Sequence, residues 1–277
     1  MSEQHCAQES HELRPHVPNV ARMYDYFLGG KDNFAADRDA AEKIIAITRE
    51  AGGDLRLLAR EHRAFLGRVV RTLAGMGVRQ YLDIGTGLPT KENVHEAAQQ
   101  VTPDAHVVYV DNDPVVLVHA RALLRDDRHT RIVEADLRDP AGIVDHPEVR
   151  AFIDFDRPVA VLLMAILPFI TDEEDPGRIV RDLTARLPSG SHVAISHFCA
   201  AQTSPDLVQE AQNVYARTGP TGITLRSQEE ILGLFDGLEL LDPGVVPINA
   251  WRPDREEEAA PADFSRPSWL GGVARVP

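Results

Sequence analysis

The segment Tyr81-Leu-Asp-Ile-Gly-Thr-Gly-Leu-Pro-Thr90 runs from an apolar stretch into a glycine turn and then a helical pattern. Gly85 and Gly87 let backbone approach a ligand without a Cβ in the way, and the helix start that follows offers unpaired N–H groups. About 24 residues beyond Gly87, a second apolar run ends in Val110-Asp-Asn-Asp-Pro114. In a doubly wound sheet a carboxylate at that edge accepts hydrogen bonds from ribose hydroxyls. A third run ends in Glu134-Ala-Asp-Leu-Arg-Asp139. Any one Asp at a strand end can be a helix cap or turn former. Glycine, Asp and Asp at three successive strand ends point instead to one crevice that takes a nucleotide-like ligand.

The ligand follows from the same loop. A dinucleotide site wants G-x-G-x-x-G, so that a pyrophosphate sits over the helix start. Here Thr90 stands where the third glycine would be, with Pro89 before it, and Asp83 lies two residues ahead of Gly85. A carboxylate there repels a pyrophosphate but serves a cationic amino-acid group, directly or through water. That combination favours S-adenosylmethionine, which carries an ammonium, a carboxylate, a ribose and an adenine. Two alternatives remain at this level: a nicotinamide-dependent oxidoreductase, which Pro89-Thr90 disfavours, and a non-catalytic binder of S-adenosylmethionine that regulates a partner.

These groups need a sheet to hold them, and the pattern supplies one. Short β-branched runs at 80–84, 106–110, 131–134, 159–164 and 192–196 alternate with helical stretches near 91–100, 114–124 and 178–187, the signature of a mostly parallel, doubly wound α/β sheet. Ser227-Gln-Glu-Glu230 is a capping box that opens a helix to Phe235. Residues 238–241 and 245–248 flank Asp242-Pro243-Gly244 and read as a closing hairpin, the last two of seven strands. Ahead of the sheet, 17–28, 36–50 and 55–73 read as helices ending at glycines. The expected organisation is therefore a disordered tail over 1–14, a helical cap or lid over 15–77, an S-adenosylmethionine-binding α/β domain over 78–250, and a tail over 251–277 whose Phe264, Trp269 and Leu270 dock on the body.

The chain has 277 residues, 43% of them hydrophobic, enough for one sizeable core. Its formal charge of −14 and lack of any Lys/Arg-rich run disfavour nucleic acid as a partner. The longest apolar run, 158–170, is well short of the ~20 residues that span a bilayer, and no stretch resembles a secretory signal. A cytoplasmic protein with reduced Cys6 and Cys199, a small-molecule acceptor and no membrane or metal is the expectation. His5, His11 and His16 have no ligand spacing, and Asp172-Glu-Glu-Asp175 reads as a solvated helix start. The oligomeric state is not legible.

The chain also resembles the class I S-adenosylmethionine-dependent methyltransferases, which have a seven-stranded Rossmann-like sheet. More narrowly it resembles a bacterial group now named S-adenosyl methyltransferase and formerly a domain of unknown function. The matching stretches are Arg14-Pro-His16, Arg22-Met-Tyr-Asp-Tyr-Phe-Leu-Gly-Gly-Lys-Asp-Asn-Phe34, Asp83-Ile-Gly-Thr-Gly-Leu-Pro89, Val110-Asp-Asn-Asp-Pro114, Ala135-Asp-Leu-Arg-Asp-Pro140, Phe235-Asp-Gly-Leu-Glu-Leu240 and Trp251-Arg-Pro253. The resemblance implies that Gly85 and Gly87 line the methionine portion, Asp111 the ribose, and Asp136 the adenine amino group with backbone help from Ala135 and Leu137. Asp83, Thr86, Asn112, Met164 and Ala165 complete the expected cofactor set. The chain departs from the broad motif at Pro89, and it has Pro168 where the narrower family often carries histidine.

His197, at the carboxyl end of the fifth strand, is the remaining candidate for a general base, although methyl transfer from a sulfonium to a nucleophilic acceptor needs positioning more than a base. For the lid, Tyr24 and Tyr26 precede Gly29-Gly30, and Lys31 and Asn33 follow. Paired glycines cost roughly 1 kcal/mol each in a helix interior, so a bend that meets a ligand, or that opens and closes, is expected there.

Overall fold

Among the described residues, three helices precede the first strand. The computed structural model describes residues 14–90, 92–124, 127–199, 203–219, 222–254 and 268–277. The expected N-terminal tail with His5, Cys6 and His11, and Phe264 near the other end, lie outside the described residues apart from Arg14. Helix α1 (Val20–Phe27) starts late because Pro18 and Asn19 precede it, and Asn19 Oδ1 accepts from the Ala21 and Arg22 N–H groups. Helices α2 (Ala35–Glu50) and α3 (Leu55–Gly75) follow, the latter capped by Asp54.

The alternating part runs β1 (Gln80–Ile84), α4 (Val94–Gln99), β2 (His106–Asp111), α5 (Pro114–Leu123), β3 (Thr130–Glu134), α6 (Pro140–Val144), α7 (Pro147–Phe152) and β4 (Ala160–Met164). A 3₁₀ turn at Leu167–Phe169 leads to α8 (Pro176–Thr184), β5 (His192–Cys199), α9 (Pro205–Tyr215) and α10 (Gln228–Gly233). Three strands close the list: β6 (Glu239–Leu240), β7 (Val246–Pro247) and β8 (Ser268–Arg275).

Strands β1 to β5 are mutually parallel in the order β3-β2-β1-β4-β5, and β8 then pairs antiparallel with β5. Residue parity divides the sheet as the two-residue strand period requires. Leu82, Val108, Val161, Leu163 and Val193 face one buried layer, while Tyr81, Val107, Tyr109, Leu162 and Ala194 face the other. Helices on both faces explain why β1 and β4 are buried at every position.

The closing hairpin does not form. β6 pairs with Arg275 and Ala274, and β7 pairs with Gly271 and Leu270, so both short segments lie against β8 rather than against each other. The eight residues of β8 carry a row of backbone groups on the side away from β5, and the two segments satisfy different parts of it. The sheet therefore has eight strands, with β7 off the main path. Gly271 and Gly272 sit where a Cβ would lie 2.6 Å from the Phe65 ring and 3.0 Å from Val245, so close packing of α3 and of the chain before β7 on β8 requires glycine there.

A third apolar cluster is separate from the two sheet layers. It joins Met23 and Phe27 of α1, Ile44, Ile45 and Ile47 of α2, Leu55 and Ala59 of α3, and Val214 of α9. Helix α9 thus belongs to the helical cap although it follows β5 in sequence. The cap is tied to the sheet side by Asn19, whose amide donates to the Asp113 carboxylate, and within the cap the buried pair Arg22 Nε to Asp37 Oδ2 at 2.7 Å joins α1 to α2.

Candidate active site

The carboxyl ends of β1, β2 and β3 lie level, because Asp83 is in register with Tyr109 and Asp111 with Glu134. Between these ends and the cap is a cavity of about 1170 Å³. The β1–α4 loop enters it through two left-handed glycines, Gly85 at φ +73° and Gly87 at φ +66°. They do different work. A Cβ on Gly85 would lie 2.6 Å from the Ile166 side chain, whereas a Cβ on Gly87 would meet nothing within 4 Å. Gly85 lets the loop close on the chain after β4; Gly87 leaves open room at the cavity.

Hydrogen bonds set the loop in place. Gly85 N–H donates to Val110 O at 2.8 Å, and Gly87 N–H to Asp111 Oδ2 at 2.9 Å. Asp111 Oδ1 accepts from Asp113 N–H at 2.9 Å, and Thr86 Oγ1 donates to Asp83 Oδ2 at 2.9 Å. Burial pushes the Asp83 carboxyl up to about 6, against the pull of the Thr86 hydroxyl. Burial likewise pushes Asp111 up to about 6, with the Asp113 and Gly87 N–H groups opposing it. These two carboxylates, Asp83 buried and Asp111 partly so, are poised near neutrality with lone pairs to spare, and suit a ligand that brings a cation and hydroxyl donors.

At the end of β3, Asp136 accepts from Asn112 Nδ2 at 2.8 Å and from the Arg138 guanidinium at 3.1 Å. Burial acts upward on Asp136, but the Arg138 N–H, the Asn112 amide and the Arg138 charge outweigh it and hold the carboxyl below the usual range. Arg138 is shared with Glu174. The acidic run before α8 is thus divided: Glu174 pairs with Arg138, Asp172 accepts from Arg226, and Asp175 caps α8. Among the described residues no group of three or more His, Cys, Asp or Glu side chains could hold a metal ion.

All eleven residues of the expected cofactor set, Asp83, Gly85, Thr86, Gly87, Asp111, Asn112, Ala135, Asp136, Leu137, Met164 and Ala165, line this one cavity. Of the lid residues only Tyr24 does. Tyr26 turns outward and donates to Glu42 at 2.6 Å, and Lys31 is exposed. The paired glycines serve a turn wrapped around Asp25, not a ligand. Asp25 Oδ2 accepts from Asp32 N–H and Asn33 Nδ2, and a Cβ on Gly30 would lie 1.8 Å from Asp25 Oδ1. Gly29 supplies the φ of +80° that ends α1.

His197 is not at the cavity. It is fully buried, its Nδ1 is 2.9 Å from Phe198 O and its Nε2 is 3.0 Å from the Arg226 guanidinium. Burial drives its pKa down to about 4, the Phe198 carbonyl opposing and the Arg226 charge assisting. Residue 197 points off the sheet face that holds the site, because side chains alternate along β5.

The histidine that does line the cavity is His62, from α3. Its Nδ1 lies 2.7 Å from the Tyr24 hydroxyl and its Nε2 lies 2.7 Å from Ser196 Oγ, while its ring stacks on Trp269 at 4.6 Å. Burial, helped by the Arg63 charge, lowers its pKa to about 3 and keeps it neutral. Ser196 Oγ in turn accepts from the N–H of Ala165, which is left-handed at φ +58° at the end of β4. Within the helical stretch 55–73, His62 gives no sequence signal that sets it apart. Sequence reasoning also missed α9, which contributes Leu207 and Ala211 to the cavity. Ser204-Pro205 is a cap followed by proline at the first helical position, with apolar residues at three- and four-residue spacing behind it, a signal that could have found the helix.

A doubly wound sheet in the order β3-β2-β1-β4-β5 with an antiparallel strand beyond β5, and a glycine loop and acids at its carboxyl edge, defines a class I methyltransferase fold. A family model described as S-adenosyl methyltransferase matches residues 6–277, so the chain belongs to that family. A DUF574 family protein from Streptomyces avermitilis is 42% identical, with a TM-score of 0.83 over 94% of this chain and 98% of that one. A Thermobifida fusca protein with a provisional methyltransferase assignment is 39% identical, with a TM-score of 0.85 over 94% of this chain and 96% of that one. An O-methyltransferase family protein from Burkholderia thailandensis shares the fold at 16% identity and a TM-score of 0.51, over 96% of this chain and 67% of that one. No curated protein matches. The protein is an S-adenosylmethionine-dependent methyltransferase.

Proposed function

We propose that this methyltransferase acts on a small molecule enclosed between the sheet and the helical cap, by direct transfer without a metal or a covalent intermediate. The observation that carries the reading is the convergence of the three strand ends on a cavity roofed by α1, α2, α3 and α9. The net charge of −14 also argues against a nucleic-acid acceptor. Bound in the crevice, S-adenosylmethionine supplies a methyl group already activated by its sulfonium.

The chain's own part is to bind and orient. Asp111 accepts hydrogen bonds from ribose hydroxyls, Gly87 gives room for close backbone approach, and Asp83 offers a carboxylate to an ammonium group. Asp136, fixed by Asn112 and Arg138, takes an exocyclic amine beside Ala135 and Leu137. Met164 and Ala165 border the reacting end. His62, with both ring nitrogens engaged, fixes Tyr24 against the cavity and lends no charge to the reaction. Residues 15–77 act with α9 as the cover on the acceptor side, 78–250 as the cofactor-binding body, and 251–277 as its completion. The same reading puts the enzyme in the cytoplasm, where the buried Cys199 thiol stays reduced. Among the described residues no helix is long and apolar enough to cross a membrane.

Titration calorimetry with S-adenosylhomocysteine tests the cofactor assignments. Asp111→Ala removes charge-assisted hydrogen bonds worth roughly 1.5–3 kcal/mol, about ten- to a hundredfold in affinity. Unchanged affinity in that variant would place the ribose elsewhere.

A further inference from the structure

The cavity is larger than the ~300–1,000 Å³ that holds one drug-sized ligand, at about 1170 Å³. Its ionisable lining is lopsided. Asp83, Asp111, Asp113, Asp136, Arg138 and Glu174 all belong to the strand-end side. The side formed by the cap presents Phe27, Ile44, Ile47, Leu55, Leu207 and Ala211.

The other charged residues that line the cavity are accounted for. Arg22 is paired with Asp37, Arg14 is exposed, and Arg63 reaches toward the strand ends, where it donates to the Glu92 carbonyl at 2.7 Å and its charge acts on Asp83. Among the described residues no Lys lines the cavity, and every Asp or Glu that does so stands on the strand-end side. His62 is kept neutral by burial. An ionised acceptor seated against α2 and α9 would have to shed its hydration with no counter-charge on either helix, which disfavours it.

Rings gather where the cap helices meet the ends of β4, β5 and β8. Trp269 stacks on His62 at 4.6 Å and meets Phe198 edge-on at 5.7 Å, Tyr24 meets His62 edge-on at 5.8 Å, and Phe169 packs near Tyr215 at 6.0 Å. Flat aromatic surface selects a flat ligand by stacking.

We infer that the methyl acceptor is an uncharged, planar aromatic molecule, seated between α2, α9 and the ring cluster of His62, Trp269 and Phe198. This rests on the methyl-transfer reading above for the division of the cavity into a cofactor side and an acceptor side.

The test is calorimetric titration of the full chain, with and without saturating S-adenosylhomocysteine, using naphthol, naphthoate, naphthylmethylammonium and decanol as probes. Naphthol is expected to bind at least about tenfold more tightly than either charged counterpart and than the flexible alcohol. Ala211→Trp should abolish naphthol binding while S-adenosylhomocysteine still binds. Leu207→Lys, at a partly exposed position, should move the preference about tenfold toward naphthoate. The inference is overturned if naphthoate or naphthylmethylammonium binds as tightly as naphthol, if decanol is preferred, or if no neutral probe binds a protein that holds S-adenosylhomocysteine normally. Failure of S-adenosylhomocysteine itself to bind, with the naphthol preference intact, would fault the methyl-transfer reading and not the character of the chamber.

Discussion

His62 of the cap and Ser196 of the sheet meet at 2.7 Å, and both residues are buried. Through them the Tyr24 hydroxyl on α1 is connected to the N–H of Ala165 at the end of β4. A buried polar chain of this kind is stable only when every member is satisfied.

Breaking it at either end should therefore be felt at the other. Ser196→Ala takes the partner from His62 Nε2, leaves the Ala165 N–H only its 3.2 Å bond to the Ser196 carbonyl, and should cost about 1–3 kcal/mol in denaturant unfolding. Tyr24→Phe removes the partner of Nδ1 and should cost somewhat less. The double variant should depart from additivity by roughly 0.5–3 kcal/mol. Strict additivity would mean that His62 does not couple the two elements.

The two loop glycines separate stability from binding. Gly85→Ala drives a methyl group into Ile166 and should lower Tm, since overpacking costs about 1–3 kcal/mol on top of the left-handed backbone. Gly87→Ala has only the backbone cost of about 1–2 kcal/mol and puts its methyl group into open cavity. It should lose affinity for S-adenosylhomocysteine out of proportion to its Tm. Equal behaviour of the two variants in both assays would contradict the assignment.

Asp83 and Asp111, each raised to about 6, predict a pH dependence. A carboxyl whose folded pKa lies above its unfolded value contributes most to stability below the unfolded pKa, and that contribution is lost as pH rises through the folded pKa. From these two groups, the free protein should lose stability as pH rises from about 4 to about 6. Ligand affinity should run the other way, because the ionised carboxylates are the better acceptors. S-adenosylhomocysteine binding should strengthen from about pH 5 to about pH 7 and level off above it. Asp111→Asn should flatten part of that rise, and a pH-independent affinity in the unaltered protein would refute it.

The buried Arg22–Asp37 pair predicts a large effect far from the strand ends. Asp37 also accepts from the Asn19 and Phe34 N–H groups at 2.8 and 2.7 Å. Asp37→Ala takes the carboxylate away from the buried Arg22 guanidinium, a loss of about 3–5 kcal/mol in comparable buried pairs. Thermal unfolding should show it as a marked fall in Tm, together with weaker S-adenosylhomocysteine binding, because Arg22 and Asn19 border the cavity.

The parallel sheet was legible because its strands are continuous apolar runs ending in Gly or Asp, and the cofactor-side residues were legible because they follow those strand ends directly. The acceptor side was not, for a physical reason. Its walls come from α1, α2, α3 and α9, which are far apart in sequence, and each contributes apolar residues that look like ordinary core positions. Gly29-Gly30 misled because local sequence shows where a bend is needed without showing whether a ligand or a neighbouring carboxylate, here Asp25, occupies it. The hairpin at 238–248 misled because turn chemistry predicts a reversal but not the partner, and β8 offered both short segments a better one. His197 and His62 exchanged importance since strand parity turns the first away, whereas a contact between residues 134 positions apart carries the second to the site.

The position of β8 also bears on how the protein is made. Until residues 268–275 leave the ribosome, β5 has an open edge flanked on both sides by water-averse layers, and β6 and β7 have no strand to join. A nascent chain halted before that point, or a chain clipped beyond Asp254 and stripped of its last strand, would expose a ready template for edge-to-edge aggregation. It would also lack Trp269, the ring on which His62 rests, so the pocket cannot be completed before synthesis has passed residue 269.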